Sequence, residues 1–129
     1  MLTASASAAQ PTLAPCPSSP NCVSSLATDP THQMAPWPAP MSASVALDRL
    51  AAIVTAEPRT AVVSRDTLRL RVTFTSRLFR FVDDVEFAID PVAQLVHFRS
   101  ASRVGYGDLG VNRARMGRLR TAFLARDST

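Results

Sequence analysis

The chain has 129 residues, and eight of its ten prolines lie in the first 40, which leaves about 90 residues for a core and argues for one small domain. Its 14 basic residues, all arginine, outnumber 10 acidic ones for a net charge of +4, a weak preference for an acidic partner such as an anionic ligand or a membrane surface. The arginines are dispersed rather than gathered into a tail, and no apolar run approaches the roughly 20 residues that cross a bilayer.

Residues 1–13 have neither a charged start nor an apolar run, so they read as a disordered leader, although Ala4 to Ala9 resembles the small-residue end of a signal peptide. The sequence as it stands suits the cytoplasm, or an extracytoplasmic or membrane-associated place if an N-terminal segment has been removed. Residues 14–126 are expected to be the single domain. Leu13 to Cys16 has a proline where a lipoprotein box wants a small residue, and that assignment is rejected.

Cys16 and Cys22 bracket Pro-Ser-Ser-Pro-Asn, a turn-forming run that suits a local disulfide in an oxidising compartment and two thiols in a reducing one. If Cys22 were free, His32 could serve as its base with Asp29 orienting the imidazole. Pro36, Pro38 and Pro40 around Trp37 predict an extended, polyproline-like strap anchored by the indole.

Ser42 or Ser44 can cap a helix with Ala46, Leu50, Ile53 and Val54 on one face, ended by Pro58. Thr60 to Arg65 and Leu68 to Thr75 read as a hairpin, the second strand turning Leu68, Leu70, Val72 and Phe74 inward. The next strand places Phe79, Phe81, Val85, Phe87 and Ile89 on one face, and after Asp90-Pro91 a fourth turns Val96 and Phe98 inward with His97, Arg99 and Arg103 outward. Gly105, Gly107 and Gly110 make an irregular connection to a last helix whose inward face is Asn112, Met116, Leu119 and Phe123. The fold class expected is therefore α+β: a four-stranded antiparallel meander with two helices packed on one face and a proline-rich N-terminal strap.

Placing Ile89 opposite Gln94 sets Asp84 against Arg99, Glu86 against His97 and Arg80 against Arg103, and aims Asp83 inward beside Ser100 and Ser102. A buried carboxylate needs donors. The candidate ligand-binding cluster is thus Asp83, Ser100, Ser102, Arg103, Asp108, Asn112 and Arg113, around the loop that enters the last helix. The sequence has no phosphate-cradling glycine loop, zinc-ligand spacing or nucleophile elbow, so no cofactor and no metal is expected. Nucleic acid is disfavoured because Trp37 and Tyr106 are not set among the arginines as stacking platforms.

Asn-Cys-Val-Ser-Ser at 21–25, His32, Phe-Val-Asp-Asp-Val-Glu-Phe at 81–87, Arg-Ser-Ala-Ser-Arg-Val-Gly at 99–105 and Asp-Leu-Gly-Val-Asn-Arg-Ala-Arg at 108–115 together resemble the family catalogued as domain of unknown function 1499. The resemblance covers about residues 14–125. It implies that the N-terminal segment and the 99–113 region belong to one unit, and it brings no activity. The function expected is a non-catalytic binding or interaction module; the alternative is a small enzyme using Cys22 and His32, or the Asp83 cluster.

Overall fold

The computed structural model describes residues 10–125. Its elements in chain order are β1 (Cys22–Ser24), β2 (Trp37–Pro38), α1 (Ala43–Thr55), β3 (Thr60–Arg65), β4 (Arg69–Thr75), β5 (Val82–Asp90), β6 (Leu95–Ser102) and α2 (Val111–Ala125). The fold is α+β, an antiparallel sheet with two helices. The expected leader falls mostly on residues 1–9, outside the described residues.

Ser42 caps α1, its side chain accepting from the Val45 amide at 3.1 Å, and Ala46, Leu47, Leu50, Ile53 and Val54 form the buried stripe. The helix stops at Thr55, ahead of Pro58, and Arg59 at φ 56 swings the chain into β3. In β4 the alternation of Leu70, Val72 and Phe74 with Arg69, Arg71 and Thr73 buries one side of the strand, whereas Leu68 lies outside it and stays partly exposed. β5 and β6 continue the same inner face with Val85, Phe87, Ile89, Val96 and Phe98. Met116, Leu119 and Phe123 of α2 complete the core.

Among the described residues the sheet has six strands, not four. The meander β3-β4-β5-β6 is present, but β1 and β2 also pair antiparallel with the free edge of β6, Cys22 opposite Ala101 and Trp37 opposite Val96. The expected proline-rich strap is not what residues 36–40 form: Trp37–Pro38 is a sheet strand, and the Ala39 amide donates to the Gln94 carbonyl at 2.9 Å. Pro38 is tolerated because this is an edge position. Trp37 is fully buried, with ring centroids 5.8, 5.1 and 5.7 Å from those of Phe87, Phe98 and Phe123.

The β5–β6 register is displaced by two residues from the sequence expectation. Asp90, not Ile89, closes the hairpin, opposite Leu95, because its Oδ1 accepts from the amides of Val92 and Ala93 at 3.0 and 2.9 Å while Gln94 takes φ 59. A shift of two preserves which face each side chain occupies but changes every partner. Asp83 lies opposite Ser102, Val85 opposite Ser100 and Glu86 opposite Arg99. On the outer face Asp84 takes a two-pronged bond from Arg103 at 2.8 and 2.9 Å, and Glu86 binds Arg69 at 2.6 Å. His97 is on that outer face as expected, yet it is buried, because the segment after β1 lies against it and Ser25 Oγ sits 2.9 Å from its Nδ1.

Candidate functional site

The site lies at the end of the sheet where β4 leaves, β5 begins, β6 leaves and α2 starts. Its floor is a chain of polar side chains under the first turns of α2. Arg115 Nη2 donates to Asp83 Oδ2 at 2.7 Å, and its Nη1 donates to Asn112 Oδ1 at 2.9 Å and Ser100 Oγ at 3.2 Å. The Ser100 hydroxyl also donates to Asn112 Oδ1 at 2.7 Å. The guanidinium lies over the Phe74 ring, 4.6 Å from its centroid, so its apolar face is covered while its edge is bonded.

Asn112, itself fully buried, is the hub. Its amide nitrogen has three acceptors within reach for two hydrogens: Asp108 Oδ2 at 2.7 Å, Ser102 Oγ at 3.0 Å and the Asn21 carbonyl at 3.2 Å. Asp108 lies just ahead of α2, its carboxylate accepting the amides of Gly110 at 2.8 Å and Asn112 at 3.0 Å. Burial pushes the Asp108 carboxyl up, but the donors from Asn112 and Gly110 outweigh it and hold the group below its ordinary value. Asn21 ties the floor to β1: its side chain donates to the carbonyl of Gly105 at 2.9 Å, and its own carbonyl also accepts the Ser102 amide at 3.0 Å.

Of the residues expected to gather here, Asp83, Ser100, Ser102, Asp108 and Asn112 do so. Arg103 does not; it follows the alternation of β6 to the outer face and Asp84. Arg113 turns the other way around α2 and donates to the carbonyls of Gln33 and Thr31 at 3.1 and 3.0 Å, pinning the segment between β1 and β2. The guanidinium that meets Asp83 belongs to Arg115. It sits three residues after Asn112 on the helix, one position before Met116, and the buried stripe of α2 is wide enough to include it. Asn21 was the other residue missed, since only the pairing of β1 with β6 brings it there.

Cys16 and Cys22 are joined in a disulfide, Cα atoms 5.7 Å apart, so Cys22 carries no thiolate in this state. His32 spends both ring nitrogens, Nδ1 on Asp29 at 2.7 Å and Nε2 on the Ser19 carbonyl at 2.8 Å. Among the described residues no three His, Cys, Asp or Glu side chains are grouped as a metal site would require.

Above the floor opens a cleft of about 660 Å³. Asp83, Ser102 and Arg115 form its polar base; Phe74, Phe79, Phe81, Val104, Leu109 and Val111 form its apolar walls. At the rim Glu57 is clasped by Arg118 through two 2.8 Å bonds, and Arg59 donates to the Thr75 carbonyl.

The sheet with its two helices defines an α+β chain with a polar-floored cleft. The model of the family described as "Protein of unknown function (DUF1499)" matches residues 12–123, and the chain belongs to that family. No curated protein and no solved structure matches it.

Proposed function

We propose that the protein is a non-catalytic binding module whose cleft takes a small amphiphilic molecule, an apolar body against the aromatic and aliphatic walls and an uncharged hydrogen-bonding group at the floor. The observation that carries this reading is the cleft itself: its volume is that of small-ligand sites, and its walls are apolar over a few convergent polar groups. The charge state of the floor selects the head group. Asp83 and Arg115 already neutralise each other, and Asp108 is occupied by helix amides, so a hydroxyl or amide meets less desolvation cost than an ion. The enzyme alternative has less support, with Cys22 in a disulfide and Asp83 bound to a guanidinium rather than to a second acid.

The test is titration with a neutral fluorescent naphthylamine, followed by displacement with a monoacylglycerol, a long-chain alcohol and a fatty-acid anion. Saturable probe binding, stronger displacement by the uncharged amphiphiles and loss of probe binding in Val104→Arg are expected. A Val104→Arg protein that binds the probe like the parent overturns the reading.

A further inference from the structure

We propose that the end of the molecule carrying the cleft mouth docks on an anionic lipid surface, through the β4–β5 turn at 76–81 and the loop at 103–110. In the turn every residue is exposed, and the sequence Ser76-Arg77-Leu78-Phe79-Arg80-Phe81 interleaves apolar and cationic side chains. Leu78 and Phe79 are 78% and 69% exposed, and the Phe79 and Phe81 rings stack on each other with centroids 5.6 Å apart. The loop adds Val104, Tyr106 and a fully exposed Leu109.

The turn is built rather than frayed. Its ends are closed by the Ser76 amide on the Phe81 carbonyl at 2.8 Å and the Phe81 amide on Ser76 Oγ at 2.9 Å. Arg80 is held at φ 58, a left-handed conformation unfavourable for arginine. The Arg103 amide bonds the Val82 carbonyl at 3.1 Å, so the two apolar tips leave the sheet side by side.

Charge identifies the partner. Arg59, Arg77 and Arg80 are exposed at this end, whereas the acids nearby are engaged: Glu57 by Arg118, Asp84 by Arg103, and Asp108 by the amides opening α2. Apolar tips with arginines between them fit a membrane interface, where rings and aliphatic chains reach the acyl boundary while guanidinium groups meet lipid phosphates. A protein partner would call for a contiguous apolar centre depleted of charge and ringed by polar residues, whereas here arginines stand between the apolar side chains. The docking shares Phe79, Phe81, Val104 and Leu109 with the cleft walls, but Arg77, Leu78, Arg80 and Tyr106 lie outside the cleft lining and tell the two apart.

Co-sedimentation of the whole protein with vesicles of phosphatidylcholine alone, and with phosphatidylglycerol as the minority lipid, tests it. Binding to the anionic vesicles at low ionic strength is expected, weakened by salt. Leu78→Ser, outside the cleft lining, should lower the partition coefficient about tenfold. Arg77→Gln and Arg80→Gln should each lower it about fivefold. Val63→Ser, a control exposed on β3 away from this end, should leave it unchanged. No sedimentation with anionic vesicles, equal loss in Val63→Ser, or a patch that instead holds two copies together in solution and leaves vesicles unbound overturns the proposal.

Discussion

Asp83 on β5 and Arg115 on α2 form an ion pair of 2.7 Å with side chains only 11% and 8% exposed, and this pair fastens the last helix to the sheet at the cleft floor. Burying two charges is costly, and the cost is offset only when the remaining donors and acceptors are met. Here Ser100, Asn112 and the Phe74 ring meet most of the guanidinium.

Arg115→Met should therefore destabilise the protein by about 3 to 5 kcal/mol, because it leaves a buried carboxylate without its counter-charge. Asp83→Asn retains a hydrogen-bonding group and should cost less, about 1 to 3 kcal/mol. Combining Asp83→Leu with Arg115→Met should recover much of the loss, since an apolar pair carries no unpaired charge. Urea unfolding of the three variants gives the comparison. A double variant as unstable as Arg115→Met would mean that the pair does more than cancel its own charges.

The parts of the fold governed by local chemistry were legible in the sequence. The Ser42 cap, the stop before Pro58, the span of β3 and the buried faces of β4 and α2 follow from period and capping alone. What escaped depends on contacts distant in sequence. β1 and β2 are three and two residues long and exist only because the edge of β6 offers them partners 57 to 79 residues away, which no local pattern encodes. The hairpin register turned on which residue closed the turn, and a slip of two leaves the alternation of faces untouched. For the same reason Asp83, Ser100 and Ser102 were rightly aimed inward although their exact opposites were wrong, and Asn112 followed from the helical period of α2. Arg115 was hidden by the general expectation that an arginine on a helix faces solvent.

The Cys16–Cys22 disulfide closes a short loop beside β1, on the strand that carries Asn21 into the site. Cross-linking across so few residues removes little entropy from the unfolded chain, so Cys16→Ser should cost on the order of 2 kcal/mol. Alkylation of the unfolded, non-reduced protein should label no cysteine, and after reduction two. Loss of the bridge should also weaken probe binding in the cleft less than Val104→Arg does, since Asn21 retains its bonds to the 104–105 carbonyls.

The two histidines should titrate in opposite directions from their ordinary value of 6.5. Acceptance by the Ser19 carbonyl, joined by Asp29, holds the His32 pKa up, whereas burial holds that of His97 down against a smaller pull from Asp90. His32 contributes stability that is fully present below 6.5 and is lost as pH rises through its raised folded value. His97 works the other way: the unfolded chain takes up its proton first, so stability falls as pH drops from 6.5 towards the lowered folded value. NMR titration of the two imidazole rings separates them. His32→Asn should flatten the alkaline side of the stability profile and His97→Asn the acid side.

Asn112 offers the sharpest division between holding the fold and shaping the cleft. Its carboxamide receives the Ser100 hydroxyl and Arg115 on the oxygen, and reaches Asp108, Ser102 and the Asn21 carbonyl from the nitrogen, so both ends are specified. Asn112→Ala leaves these buried groups without their partner and should cost about 1 to 3 kcal/mol or more, as several are unpaired at once. Asn112→Asp keeps the shape and the two bonds to the oxygen but replaces the donor with an acceptor facing Asp108. Two carboxylates would then compete for one site, and one of them should titrate well above the usual carboxylate range. Asn112→Asp should accordingly be less stable than the parent at neutral pH and regain stability as pH falls and the shared site takes up a proton. Thermal melts across the acid range check this. A melting temperature for Asn112→Asp that runs parallel to the parent's at every pH would show that the nitrogen end of Asn112 does not donate to Asp108.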